Sequence, residues 1–351
     1  MAAESDPPRG TGSREPRERP VGSLGELLRR QADDAIALSG AASSAWNGRT
    51  RWLPRETGRP EPPGVAGIAD WDGTIYYDRT YVLRPLEDLF AGAAAGSDAV
   101  SAAARWRAKN ALAVVLHENC HLLAADPADH PQTKKAWSWP TVVLEEGATE
   151  AYSALHLNDY LDRLGVEAKA PGIRALHVET TYPLFVPAVT AVSRGLGRLT
   201  GQPTGEMLRQ LVVEAGGKKY GRLGELVLDG TGLSARIPEA DRPAAVERIA
   251  GTARESLGEI ANLGPFLSRQ AAEQLSRRVG REALRSVLLE LEHLDTQYPG
   301  RELPGTMVAL PARAANIVSP TRRSSLGRGS AAGRLPSAAD IRRCSGGVAM
   351  R

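Results

Sequence analysis

Seven residues, Leu116-His117-Glu118-Asn119-Cys120-His121-Leu122, constrain this chain more than any other stretch. Two imidazoles stand four residues apart, with a carboxylate beside the first. On an α-helix, side chains at i and i+4 share one face about 6 Å apart, close enough to bind one tetrahedral metal ion. The arrangement works only if the segment is helical, if a third ligand comes from elsewhere, and if one coordination position stays open. Residues 97–125 meet the first demand. They are rich in Ala, contain no Pro and carry Val114, Val115 and Leu122 around the motif, so a long helix is expected, ended by Asp126-Pro127.

A second helix is expected over about 140–164, opened by Pro140 and stopped by Gly165. It carries Leu144-Glu145-Glu146-Gly147-Ala148-Thr149-Glu150, with Glu146 25 residues beyond His121. Read alone, these acids are equally those of a solvated helix start, favoured there by the helix dipole. Read with the upstream motif, the two segments resemble the gluzincin class of zinc metallopeptidases, the thermolysin-like and aminopeptidase-like enzymes. Those pair His-Glu-x-x-His on one helix with a glutamate on a following helix.

The resemblance covers about residues 65–160. It implies zinc (Zn2+) held by His117, His121 and Glu146, with Glu118 as the general base that takes a proton from the metal's water. Glu150, one turn past Glu146, matches the acid that accepts the Nδ1 proton of a ligand histidine. Gly147 is expected to remove a side chain next to the metal so that the two helices approach closely. Glu145 points about 100° away on the helix, and one residue of register error would exchange it with Glu146. An attacked carbonyl also needs an oxyanion donor; Tyr182 is the first candidate, with His177 and Tyr152 behind it. Cys120 reads as a small buried helix residue.

The resemblance implies an α+β fold, mostly helical: a zincin-like core with a small sheet and edge strand, an active-site helix and a third-ligand helix, then a helical C-terminal part. Asp72-Gly73 between two β-prone runs predicts a hairpin with Thr74 to Tyr77 as its second strand. That strand stands where the resembling enzymes bind extended substrate. Helical spacing is present from Ser23, a plausible N-cap, to about Leu38, and at about 173–199, 205–215, 241–260, 265–279 and 281–296. Pro183 and Pro187 are expected to break or kink the first of these, and Gly280 to separate the last two. The expected division is a disordered tail over 1–22, a metallopeptidase core over 23–200, a helical subdomain over 201–300 and an Arg/Gly/Ser-rich flexible tail over 301–351.

Composition narrows the partners. A net charge of +3 is too small to imply nucleic acid, and the excess is local, with seven Arg against one acid between Thr321 and Arg351. Cys120 and Cys344 cannot build a disulfide framework. No apolar run approaches the ~18 residues of a membrane span, and Met1 to Pro20 holds no apolar signal segment. A cytoplasmic protein acting on peptide or protein substrate, without nucleic acid or membrane, is expected; export by a leaderless route is left open.

Three rivals use the same residues. Metzincins need a third histidine six residues after the second, where this chain has Pro127; His130 reads as a surface loop residue. Glu118-x-x-His121 and Glu290-x-x-His293 match the Glu-x-x-His step of di-iron carboxylate bundles, with Glu146 or Glu150 as further acids, but leave His117 without a role. A non-catalytic, zinc-stabilised interaction protein would use the same ligands and lack turnover.

Overall fold

The computed structural model describes residues 20–53, 65–94, 101–124, 126, 130–263 and 267–300. Most of the expected N-terminal tail, the whole of 301–351, and Pro127 lie outside these residues. From residue 20 the chain is packed: Val21 is fully buried and its N–H donates to Leu164 O at 3.0 Å.

Helix α1 (Leu24–Ser39) starts as its sequence predicts, with Ser23 Oγ accepting from Glu26 N–H at 3.2 Å. It ends at Gly40, whose φ of 68° is the left-handed stop. Strands β1 (Ser43–Ser44) and β2 (Thr50–Trp52) follow, then the hairpin β3 (Gly67–Ala69) and β4 (Ile75–Tyr77). The Asp72-Gly73 turn is where expected, with Gly73 at φ 80°. The strand order is β2-β4-β3, β2 parallel and β3 antiparallel to β4. β4 is therefore the middle strand, not the expected edge. The expectation failed because β2, a three-residue strand with polar neighbours, gives no alternation to detect.

Asp78 caps a π-helical turn (Arg79–Leu83) that leads into α2 (Arg84–Ala94). Helix α3 (Ala102–His121) is capped by Ser101 and carries the motif. It stops four residues early, because Leu122 O accepts Ala45 N–H at 2.7 Å and β5 (Leu123–Ala124) pairs antiparallel with β1. A short α4 (His130–Lys135) precedes α5 (Trp139–Leu164). His130 thus belongs to a helix rather than a loop.

The helix expected from residue 173 begins only at α6 (Val186–Thr200). Pro183 disfavours the helical conformation for the residue before it, while Pro187 sits in the first turn, where its missing N–H costs nothing. Residues 174–185 therefore cross the surface without regular structure. Then come α7 (Thr204–Val212), α8 (Lys219–Gly230), α9 (Arg242–Gly258) and α10 (Arg269–Gln297). α8 was not expected; Gly221, Gly224 and Gly230 weaken its local signal. α10 runs unbroken through Gly280, where a Cβ would sit 2.4 Å from Ala188 O on α6. That glycine is a contact between helices and not a stop.

One hydrophobic cluster runs from Val21 to Leu294 and is continuous across residue 200. α5 lies at its centre, packed by α3, α6, α7 and α9. β3 leans on α3, so the small sheet and α5 approach the motif helix from different sides. No helix among the described residues is long and apolar enough to cross a membrane.

Candidate metal centre

The rotation of α3 is set from behind. Asn119 lies about 200° around the helix from His117, and its side-chain amide donates to Gln31 Oε1 on α1 (3.1 Å), to Tyr77 OH on β4 (3.3 Å) and to Val115 O (2.8 Å). Tyr77 OH donates to the same Gln31 oxygen at 2.7 Å. This buried network fixes one side of the helix and turns residues 117 and 121 toward α5.

There the two imidazoles meet Glu146. His117 Nε2 and His121 Nε2 are 2.9 Å apart, and each is 3.4 Å from Glu146 Oε2. Ligand atoms at 2.0–2.2 Å from a tetrahedral ion lie about 3.4 Å from one another; the two edges to Glu146 have that length and the edge between the histidines is shorter.

The far side of each ring is also engaged. Glu145 Oε1 accepts the Nδ1 proton of His121 at 2.8 Å. Glu150 Oε2 lies 2.8 Å from His117 Nδ1, close enough to take its proton though off the ideal line. A carboxylate only accepts, so a neutral ring in either position carries its proton on Nδ1 and turns a lone pair at Nε2 toward the other two groups. Glu146 Oε2 is buried with no hydrogen-bond partner among the described residues. With both rings neutral, three acceptors converge with no donor between them, an arrangement that a cation stabilises, whether a metal ion or added protons. These three residues are also the one group of His, Cys, Asp and Glu side chains among the described residues placed to share a metal.

Without a metal, protons take that role. Burial pushes His121 down, but the Glu146 charge and the hydrogen bond that Glu145 accepts outweigh it and bring the imidazole up to about 9. His117 is likewise pushed down by burial and raised well above its ordinary value by Glu146 and Glu150. Burial raises the Glu146 carboxyl, and the two histidines bring it well below its usual range.

Comparison with protein-family models, curated proteins and solved structures finds no match. What the site can do rests on its own geometry.

Glu118 is buried beside His117 and wedged under β3. A Cβ on Gly67 would sit 2.6 Å from its Cγ and its Oε1. The edge of the sheet thus touches the acid next to His117. Tyr182, expected on a helix, stands instead in the irregular 174–185 segment, its ring stacked on His117 at 5.7 Å and 23°. That segment is held by its main chain. Lys109 Nζ donates to Arg174 O and Leu176 O at 2.7 and 2.8 Å, Trp106 Nε1 to His177 O at 3.2 Å, and Arg269 to Thr180 O at 2.9 Å. Glu150 Oε1 accepts Thr181 N–H at 2.7 Å, so the acid behind His117 also anchors this wall.

Other candidates are elsewhere. Tyr152 commits its hydroxyl to Leu38 O at 3.2 Å, and His177 is exposed. Cys120 is buried outside the triangle, its thiol pushed up by burial to about 12. Glu290 pairs with Arg248 at 2.7 Å and His293 is exposed, so the second Glu-x-x-His step does not join the first. Gly147 does open a helix contact, but with α6: a Cβ there would meet Val189 Cγ2 at 2.5 Å. Two residues went unassigned in the sequence. Glu145 orients His121, and Lys219 Nζ on α8 lies 3.1 Å from Glu145 Oε2. Spacing along one helix could have placed Glu145; nothing local marks Lys219.

Proposed function

We propose that the chain is a zinc-dependent hydrolase, a peptidase of gluzincin-like design. The observation that carries this reading is the convergence of His117 Nε2, His121 Nε2 and Glu146 Oε2, with each Nδ1 facing its own carboxylate. Two imidazoles and one carboxylate are the donor set of a catalytic rather than a purely structural zinc site, because three protein ligands leave a position for water or substrate.

When bound, the metal supplies a Lewis acid that polarises a carbonyl and lowers the pKa of a water from about 15.7 to about 7. The remaining work falls to side chains. Glu118 takes the proton of the attacking water and returns it to the leaving amine. Glu145 and Glu150 hold the imidazoles in one tautomer and orientation. Tyr182 lines the site on the His117 side and offers a phenol O–H to a developing oxyanion. β3, a sheet edge in contact with Glu118, provides a backbone ladder along which an extended peptide can lie.

The test uses the purified full chain. One zinc per chain is expected, kept by Glu118→Gln and lost by His121→Ala. A pool of denatured proteins should show cleavage by wild type, reduced at least about a hundredfold in Glu118→Gln, by mass spectrometry. Stoichiometric zinc with identical digests would replace the enzyme by the zinc-stabilised interaction protein. No zinc after reconstitution would end the metal reading.

A further inference from the structure

Glu145 and Glu146 are neighbours on α5 and both are buried, yet only Glu146 joins the ligand triangle. Glu145 gives Oε1 to His121 and Oε2 to the ammonium of Lys219, which is itself only 1% exposed. Lys219 opens α8, where the helix dipole disfavours a cation and where burying a long side chain forfeits its rotamer entropy. No local preference selects lysine at this position.

The chain before it is shaped to deliver it. A Cβ on Gly216 would sit 2.5 Å from Glu145 Oε2, so a side chain on the α7–α8 connection would displace that carboxylate. Gly217 N–H donates to Thr133 Oγ1 at 3.3 Å, and Tyr220 OH to Pro140 O at 2.8 Å, which docks the start of α8 on α4 and on the start of α5. Glu118, Glu145, Glu146 and Glu150 crowd the two motif segments, and Lys219 brings a buried cation to one of them.

We propose that Lys219 is a resident cation that substitutes for part of the metal's charge: it steadies the metal-free carboxylate cluster and, by repulsion, lowers the affinity for the metal ion. This rests on the reading of His117, His121 and Glu146 as metal ligands. The signs follow from charge alone. Removing Lys219 leaves the buried carboxylates with less neutralisation, so a divalent ion gains more by binding. Removing the Glu145 charge leaves a buried ammonium facing the ion, and binding weakens. Removing both restores the balance, since a glutamine can still accept the His121 Nδ1 proton. A lysine that merely held Glu145 in line would give looser binding in the first case.

The experiment compares the full-length wild type, Lys219→Met, Glu145→Gln and the double variant at pH 8. Zinc affinity is read by competition with a chelating dye and stability by thermal unfolding in EDTA. Lys219→Met is expected to bind zinc about tenfold more tightly while unfolding at lower temperature without it. Glu145→Gln should bind roughly ten- to a hundredfold more weakly, and the double variant should return close to wild type. Zinc bound by Lys219→Met no more tightly than by wild type, or a variant that stays unfolded in saturating zinc, overturns the proposal alone. Wild type without stoichiometric zinc overturns the metal reading as well.

Discussion

Two imidazole nitrogens 2.9 Å apart, with a carboxylate oxygen 3.4 Å from each, make the metal-free protein sensitive to pH. Burial alone would keep His121 neutral, but Glu146 and Glu145 raise it to about 9 against an unfolded value near 6.5. A group raised on folding stabilises the native state fully below its unfolded pKa and loses that contribution as pH climbs through the folded one. In EDTA the melting temperature is therefore expected to fall between pH 6.5 and about 9. With zinc the ion takes the proton's place and the fall should vanish, since protons now compete with binding and high pH favours it. Differential scanning fluorimetry across that window checks both arms; a melting temperature that is level or rising in EDTA contradicts the assignment.

At the level of helices and strands, the outcome turned on what each glycine and proline does. Caps were readable because their chemistry is local: Ser23 and Gly40 bound α1, and Gly165 at φ 64° ends α5. Gly280 was not, since a glycine inside a helical pattern marks either a stop or a close approach, and only the partner helix decides. Here the partner is α6, whose Ala188 backbone leaves no room for a Cβ. Gly280→Ala is expected to destabilise the fold by about 1–3 kcal/mol, because backbone atoms cannot move aside as a side chain would. Urea denaturation measures this, and a neutral result would mean that α6 and α10 pack less closely. The same limit hid α8, whose glycines lower its propensity while its burial comes from α5 and α9.

Taken as a whole, the molecule is organised around α5, which carries three site acids and is covered by helices from both sides of residue 200. The convergence of the three candidate ligands was legible in the sequence because i, i+4 spacing and two neighbouring helices bring them together. Lys219 was not, because 73 residues separate it from Glu146 and only tertiary packing brings it to Glu145. The expected boundary near 200 crosses this packing. A chain ended at Gly201 lacks α7 to α10 and should show neither a cooperative unfolding transition nor stoichiometric zinc; a folded, zinc-binding fragment would establish that boundary.

The wall that carries Tyr182 is secured by its carbonyls, at Arg174, Leu176, His177 and Thr180. Carbonyls are common to every amino acid, so this anchoring imposes little on which side chains the wall displays. Leu176 and Val178 pack on the core, and Glu179 and Thr180 also meet Arg269. At the exposed Ala175, His177 and Thr181, however, mutation is largely uncoupled from folding, and a lineage built on this chain can alter what the site admits there one residue at a time.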